Sequence, residues 1–297
     1  MPKLEIKILQ AGDEALLETF LLPRIASSMF LLGNMRRAGL VDQGKLYQGT
    51  YAAALLDGVI AAVVALYWNG NLIFQASSQQ ASLIQAVLEA ADQPVLGLIG
   101  PAQQVQQGKT LLEIPDEIIQ LDETEDLFRL DLAELRIPPA LSSGELRGRR
   151  INAADLDLQA EWRAAYLVEA LGEMDTTEMR AQARRAIEGS LESGRTWVLE
   201  HYGEPVASSS FNAAVAEAVQ VGGVWTPPAL RSRGYARAVV AASLLEARAA
   251  GARIAILFTG KDNIPAQKAY LALGFEITGD YRMLLLRQAF RPKSRLC

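Results

Sequence analysis

One stretch of the chain has residue types and spacing suited to holding an anion: Val224-Trp225-Thr226-Pro227-Pro228-Ala229-Leu230-Arg231-Ser232-Arg233-Gly234-Tyr235-Ala236-Arg237-Ala238. The apolar residues up to Thr226 read as a strand, the proline pair stops it, and a helix begins near Gly234. Ala236, Val239, Val240, Ser243, Leu244 and Ala247 give that helix one small or apolar face, and Gly251 suits its C-terminal end. The first amides of a helix lack partners within it and sit at the positive end of its dipole. A strand, a glycine turn and a helix start therefore make an anion site. Gly234 allows close backbone approach to a phosphate, and small Ala236 keeps the helix near the ligand. Arg231, Arg233 and Arg237 offer charge-assisted contacts.

A second group lies downstream. Asn263 follows the all-apolar run Ile254–Phe258 and is placed to cap the next helix, which Gly274 ends. Tyr270 falls about two helical turns after Asn263, so the two side chains share nearly one face.

Together these residues resemble the GNAT superfamily of acetyltransferases. Arg231-Ser232-Arg233-Gly234-Tyr235-Ala236 is similar to its Arg/Gln-x-x-Gly-x-Gly/Ala signature, and Asn263 through Phe275 to its Asn-(x)6-Tyr-x-x-x-Gly-Phe segment. The resemblance covers about residues 150–286. It implies acetyl-CoA as co-substrate, with the pyrophosphate on the main-chain amides of Arg231, Ser232, Arg233, Gly234, Tyr235 and Ala236. It assigns pantetheine pairing to Val224, Trp225 and Thr226, and a cofactor contact to Asn263. Tyr270 is implied as the catalytic general acid for the departing thiolate. The chemistry is coherent: attack by an amine forms a tetrahedral intermediate, and a placed phenol supplies the leaving group's proton.

Such chemistry also needs the attacking amine neutral, and so a base or a water chain near the thioester. No motif fixes that residue. Glu169, Glu173, Asp175 and Glu217 are candidates by location, with Glu169 taken as the catalytic base. Were Glu169, Glu173, Asp175 and Glu178 clustered in space, they would favour a cationic acceptor. The expected function is N-acetyl transfer from acetyl-CoA to an unidentified amine by direct attack. The alternative is a non-catalytic acyl-CoA sensor of the same fold. A nucleotide P-loop is excluded, since no Gly-x-x-x-x-Gly-Lys-Ser/Thr occurs and Gly222-Gly223 lies inside a strand.

The elements that must position these residues read in two similar halves. The first has strands at Leu4–Leu9, Thr50–Leu56, Val59–Trp68, Leu72–Ala76 and Val95–Ile99, with helices from Asp13, over Ala81–Ala91 and after Pro101. The second has helices at Leu156–Leu171, Thr177–Glu192, Tyr235–Ala250 and Ile264–Leu273. Its strands are Thr196–His201, Val206–Asn212, Ala218–Trp225, Ile254–Phe258 and Phe275–Leu286. The first gives the order βαβββαβα and the second ααβββαβαβ, which share the run αβββαβα, as a tandem duplication would. The expected fold is α/β (α+β): two GNAT-like domains, each a mixed, mostly antiparallel sheet flanked by helices. The Pro138-Pro139 and Ser-Ser-Gly stretch places a linker at 136–147, between domains 1–135 and 148–297. The first half is read as degenerate. Its matching loop, Ala76-Ser77-Ser78-Gln79-Gln80-Ala81, has neither glycine nor arginine, and no tyrosine matches Tyr270.

Bulk properties bound the rest. The 297 residues are 50% hydrophobic with a formal charge of -5, ordinary for globular domains and without the excess positive charge that draws nucleic acid. With one cysteine, Cys297, and one histidine, His201, thiolate metal clusters and Cys/His nucleophile pairs are unavailable, and no metal is expected. His201 reads as a solvated turn residue. The N-terminus lacks a signal layout, and the apolar run Val59–Trp68 is too short to span a bilayer. A cytoplasmic protein without membrane partners, monomeric or homodimeric, is the expectation.

Overall fold

The computed structural model describes residues 3–292; Cys297 lies outside the described residues. Residues 3–127 and 278–292 form one compact unit, and Phe128–Ile277 form a second.

The first unit runs β1 (Leu4–Ile8), α1 (Glu14–Leu21), α2 (Ile25–Ala38), β2 (Gly49–Leu56), β3 (Val59–Tyr67), β4 (Asn71–Gln75), α3 (Gln80–Ala90), β5 (Val95–Pro101), α4 (Ala102–Leu111) and β6 (Ile119–Asp131). Only the β6 residues up to Leu127 belong to it. The second runs α5 (Pro139–Ser142), β7 (Leu146–Arg150), α6 (Leu156–Leu171), α7 (Thr177–Ser193), β8 (Thr196–His201), β9 (Glu204–Ala214), β10 (Ala218–Trp225), α8 (Tyr235–Ala249), β11 (Ile254–Gly260), α9 (Ile264–Leu273) and the start of β12 (Glu276–Phe290). The chain leaves the first unit after Leu127 and returns to it at Thr278.

In the first unit the strand order is β1-β2-β3-β4-β5-β12-β6. All the pairs with a defined register are antiparallel except β4–β5, where Asn71, Leu72 and Ile73 lie beside Gly97, Leu98 and Ile99. Asp57 and Gly58 close the β2–β3 hairpin with φ of 50° and 84°, the left-handed pair that a type I′ turn requires. The core packs Val64, Leu66, Leu72 and Phe74 of the sheet against Leu83, Ile84 and Val87 of α3. Residues 14–38 are long and apolar enough to cross a membrane, which the run Val59–Trp68 is not. They are nevertheless interrupted by a 3-10 turn at Leu22–Arg24 containing Pro23, and they bury Leu17, Phe20, Leu21, Met29, Leu31 and Leu32 as core helices do.

The second unit orders its strands β6-β11-β10-β9-β8-β7. Residues alternate across it as the pleat requires. Trp197 and Leu199 of β8 join α8 and α9 in one cluster, while Val198 between them joins Trp162 of α6 and Ile187 of α7 in another. Helices therefore cover both faces. The first cluster includes Phe128, Leu130, Leu132 and Leu135, all buried. The division thus departs from the expected segments. Residues 136–147 are no free linker, since Ala140 and Leu141 of α5 pack on the second core and β7 pairs with β8. Residues 278–290, expected in the second domain, pair with β5 of the first unit. The proline and serine signals marked a helix start and a turn, not a boundary. The α/β class, with mixed sheets flanked by helices, is as expected.

Candidate functional site

The second unit's site begins where two parallel strands part. β10 and β11 pair at Ala218–Ile254, Val219–Ala255 and Gln220–Ile256, and from Val221 onward the register ends. On its other edge β10 stays with β9 through two irregularities, after Gln220 and between Gly222 and Trp225. Bulges bend and twist a strand, which is what carries Gly222–Trp225 away from β11. Gly223, at φ 57°, supplies a backbone shape that other residues take only with strain. The result is one β10 edge, from Val221 to Trp225, without a strand partner among the described residues.

Beyond Thr226 a 3-10 turn at Pro228–Leu230 leads into the loop. Ser232 and Gly234 adopt φ of 63° and 79°, on either side of Arg233. Such left-handed residues turn successive amides toward one point and form an anion nest. Arg231 N–H donates to Pro228 O and Ala238 N–H to Gly234 O, and the amides from Ser232 to Arg237 lie between them. No side chain caps α8, and its first turn holds no acid. Arg237 stands in that turn instead, the sign a helix N-terminus disfavours, and its Nε is buried without a partner. By contrast α7 is capped by Thr176 and carries Glu178. The α8 start thus presents uncapped amides and an arginine, a setting suited to an anion.

The predicted residues assemble partly. Arg231 lies over the Trp225 ring at 5.1 Å, donates through Nε to Thr226 O at 3.0 Å, and reaches both Glu169 carboxylate oxygens at 2.8 and 2.9 Å. Arg233 donates to Ala229 O at 3.4 Å. The Tyr235 ring is buried, with its hydroxyl 2.9 Å from His201 Nδ1. His201 is thus no solvated turn residue: it ends β8, pairs with Tyr235 and stacks on Tyr202 at 4.3 Å. Asn263 Oδ1 accepts from Ala266 N at 3.3 Å, as an N-cap. Tyr270 is 8% exposed, its ring held edge-on by Phe128 and Phe275, each at 6.0 Å. Of the acidic candidates, Glu169 is engaged by Arg231. Asp175 is paired with Arg180 at 2.6 Å, and Glu217 precedes β10, at the end opposite the loop.

Sequence reasoning missed a small cavity beside Gly223. Gln159, Arg163, Thr196, Ser208, Ser210 and Trp225 line it, and it holds about 20 Å³, room for one water or a small polar head. The signal was present as Ser208-Ser209-Ser210, a polar run inside an apolar strand. The helix that carries Gln159 and Arg163 continues from a capped 3-10 turn at Ala153–Asp155. Asn152 and Asp155 form a capping box, and Arg149 holds the Asp155 carboxyl below its usual range through a direct hydrogen bond at 2.6 Å.

The first unit keeps the outline without the opening. Gln79, at φ 58°, starts α3 in the left-handed shape that Gly234 takes before α8. The slot beyond β4 is occupied, however. Ala76 N–H donates to Gln104 Oε1 at 2.7 Å, and a Cβ on Gly100 would meet Phe74 O at 3.0 Å.

A family model described as the acetyltransferase (GNAT) family matches residues 157–275. No curated protein sequence matches the chain significantly. Among solved structures, a Drosophila protein from a structural-genomics programme is similar with a TM-score of 0.64 at 13% identity, over 95% of this chain and 98% of that one. A tandem GNAT protein from the clavulanic acid biosynthesis pathway matches with 0.55 at 14% identity, over 98% and 100%. A GCN5-related N-acetyltransferase from Sphaerobacter thermophilus matches with 0.55 at 15% identity, over 99% and 98%. These likenesses speak for the fold, including a GNAT-like first unit.

Proposed function

We propose that this chain, which belongs to the GNAT acetyltransferase family through residues 157–275, moves an acetyl group from acetyl-CoA to an amine by direct attack. The observation that carries this reading is the unpartnered β10 edge leading into an uncapped, arginine-bearing helix start. The Val221–Trp225 edge offers backbone groups to the amide-rich pantetheine arm, and the Ser232–Arg237 amides offer donors to the pyrophosphate. A neutral amine attacks the thioester carbonyl, the C–N bond forms, and the C–S bond then breaks. The departing thiolate takes a proton from Tyr270, and the ammonium proton of the amine leaves to solvent or a base. Glu169 is better suited to orienting Arg231 than to accepting that proton, since both its oxygens already face the guanidinium.

Calorimetry with acetyl-CoA tests the reading. Gly234→Asp places a side chain and a negative charge against the phosphates at a left-handed position, and binding should be abolished in a folded variant. Unchanged affinity would remove the loop from the site.

A further inference from the structure

We propose that the acceptor is an amine that also carries a carboxylate, and that Arg163 and Gln159 bind that carboxylate. The inference rests on the acetyl-transfer reading and names the acceptor class for that site. Gln159 and Arg163 stand one helical turn apart on α6, so they share a face. Gln159 is 2% exposed, and its Nε2 is buried without a hydrogen-bond partner. Buried donors are nearly always satisfied, and an orphan facing a cavity calls for an acceptor within it. Arg163 adds the charge. Its guanidinium lies over the Tyr166 ring at 5.3 Å, and among the described residues no carboxylate pairs with it.

The neighbours agree on sign. The cavity wall carries hydroxyls, an amide and a guanidinium, and no acid. On the same helix, Glu169 is engaged by Arg231. Arg163 also stands at the right point along β10. A Cβ on Gly223 would lie 3.5 Å from its terminal nitrogen, so the guanidinium stands beside the strand within the segment that has left β11. That segment is where the proposed thioester lies. A carboxylate accepts from a guanidinium and an amide at once, whereas an ammonium head would leave Gln159 Nε2 unpaired and face a like charge. The small cavity takes the carboxylate head while the rest of the acceptor stays outside.

The test uses the full chain, acetyl-CoA and a panel of α-amino acids and β-alanine, each beside its carboxamide, with released thiol as the kinetic readout. The acids should exceed their carboxamides in kcat/KM by about 10–100-fold, the size of a charge-assisted contact. Arg163→Gln should collapse that ratio to within about threefold, with Arg163→Lys retaining part of it. Gln159→Leu, an apolar replacement of similar size, should lower the ratio too and guards against misfolding of either Arg163 variant. A second readout needs no turnover: N-acetylglycine, but not N-acetylglycinamide, should raise the melting temperature of the CoA-saturated protein. Equal rates for acids and carboxamides, or equal thermal shifts, would overturn the carboxylate assignment while leaving acetyl transfer intact. Failure to bind acetyl-CoA at all would instead remove the transfer reading, and carboxylate binding would then be read from the same pair of thermal shifts on the protein without CoA.

Discussion

At Tyr270 packing and chemistry can be separated. The ring is 8% exposed and touches Phe128 and Phe275 edge-on, contacts that a phenylalanine keeps. Its helix ends in a Schellman pattern, with Gly274 N donating to Leu271 O and Phe275 N to Tyr270 O, so the backbone is fixed independently of the hydroxyl. Tyr270→Phe should therefore leave acetyl-CoA affinity and folding nearly unchanged. Turnover should fall by about 10²-fold, the lower range for a lost general acid, because a thiolate leaves readily. Thiol release at saturating acetyl-CoA reads this directly, and an equally fast variant would make the tyrosine structural. Residues of this kind were legible in the sequence because each does local work as well: Asn263 caps α9 and Gly274 ends it. Arg163 and Gln159 were not. A glutamine and an arginine one turn apart occur on many helices, and what singles them out is Gly223, far along the chain.

Elements were legible where their hydrophobic period was clean and hidden where charge masked it. β6 is the main omission: Asp122-Glu123-Thr124-Glu125-Asp126 has no apolar alternation to mark it, yet it is strand. Within it Asp122 is held by Arg282 at 2.6 Å, whereas Glu125 has a buried, unpartnered Oε2. Burial first, and the charge of Glu123 second, push its carboxyl from 4.5 up to about 7. Between those values the folded chain holds a proton that the unfolded chain releases. Stability therefore falls as pH rises through this window and stays lower above it. Glu125→Gln cannot ionise, so it should match wild type near pH 4.5 and exceed it by about 1–3 kcal/mol at pH 8. Denaturant unfolding at both pH values measures the difference, and a gain independent of pH would show that Glu125 is not the titrating group.

For the whole molecule, the sequence shows that a strand exists but not which core it serves. Two tandem halves invite a cut at the proline-rich stretch, and 1–135 with 148–297 follows from that logic. Contacts divide the chain elsewhere, because Phe128–Leu135 complete the second core while 278–290 pair in the first unit. This has a direct consequence for fragments. A piece spanning 145–297 lacks Phe128, Leu130, Leu132 and Leu135, each at most 7% exposed in the second core. Burial of such side chains stabilises by about 1.5–3 kcal/mol apiece, so losing the group removes an amount comparable with a domain's entire stability of about 5–15 kcal/mol. That fragment should show no cooperative unfolding by circular dichroism and should not bind acetyl-CoA. A fragment spanning 128–277 keeps the core, the parted strands and the loop, and it omits only residues that pair in the other unit. It should unfold cooperatively and bind acetyl-CoA within about tenfold of the full chain, as a compact unit with its own core does. If 145–297 folds and binds while 128–277 does neither, the strand from Phe128 is not part of the second unit's core, and the division of the chain belongs at the prolines after all.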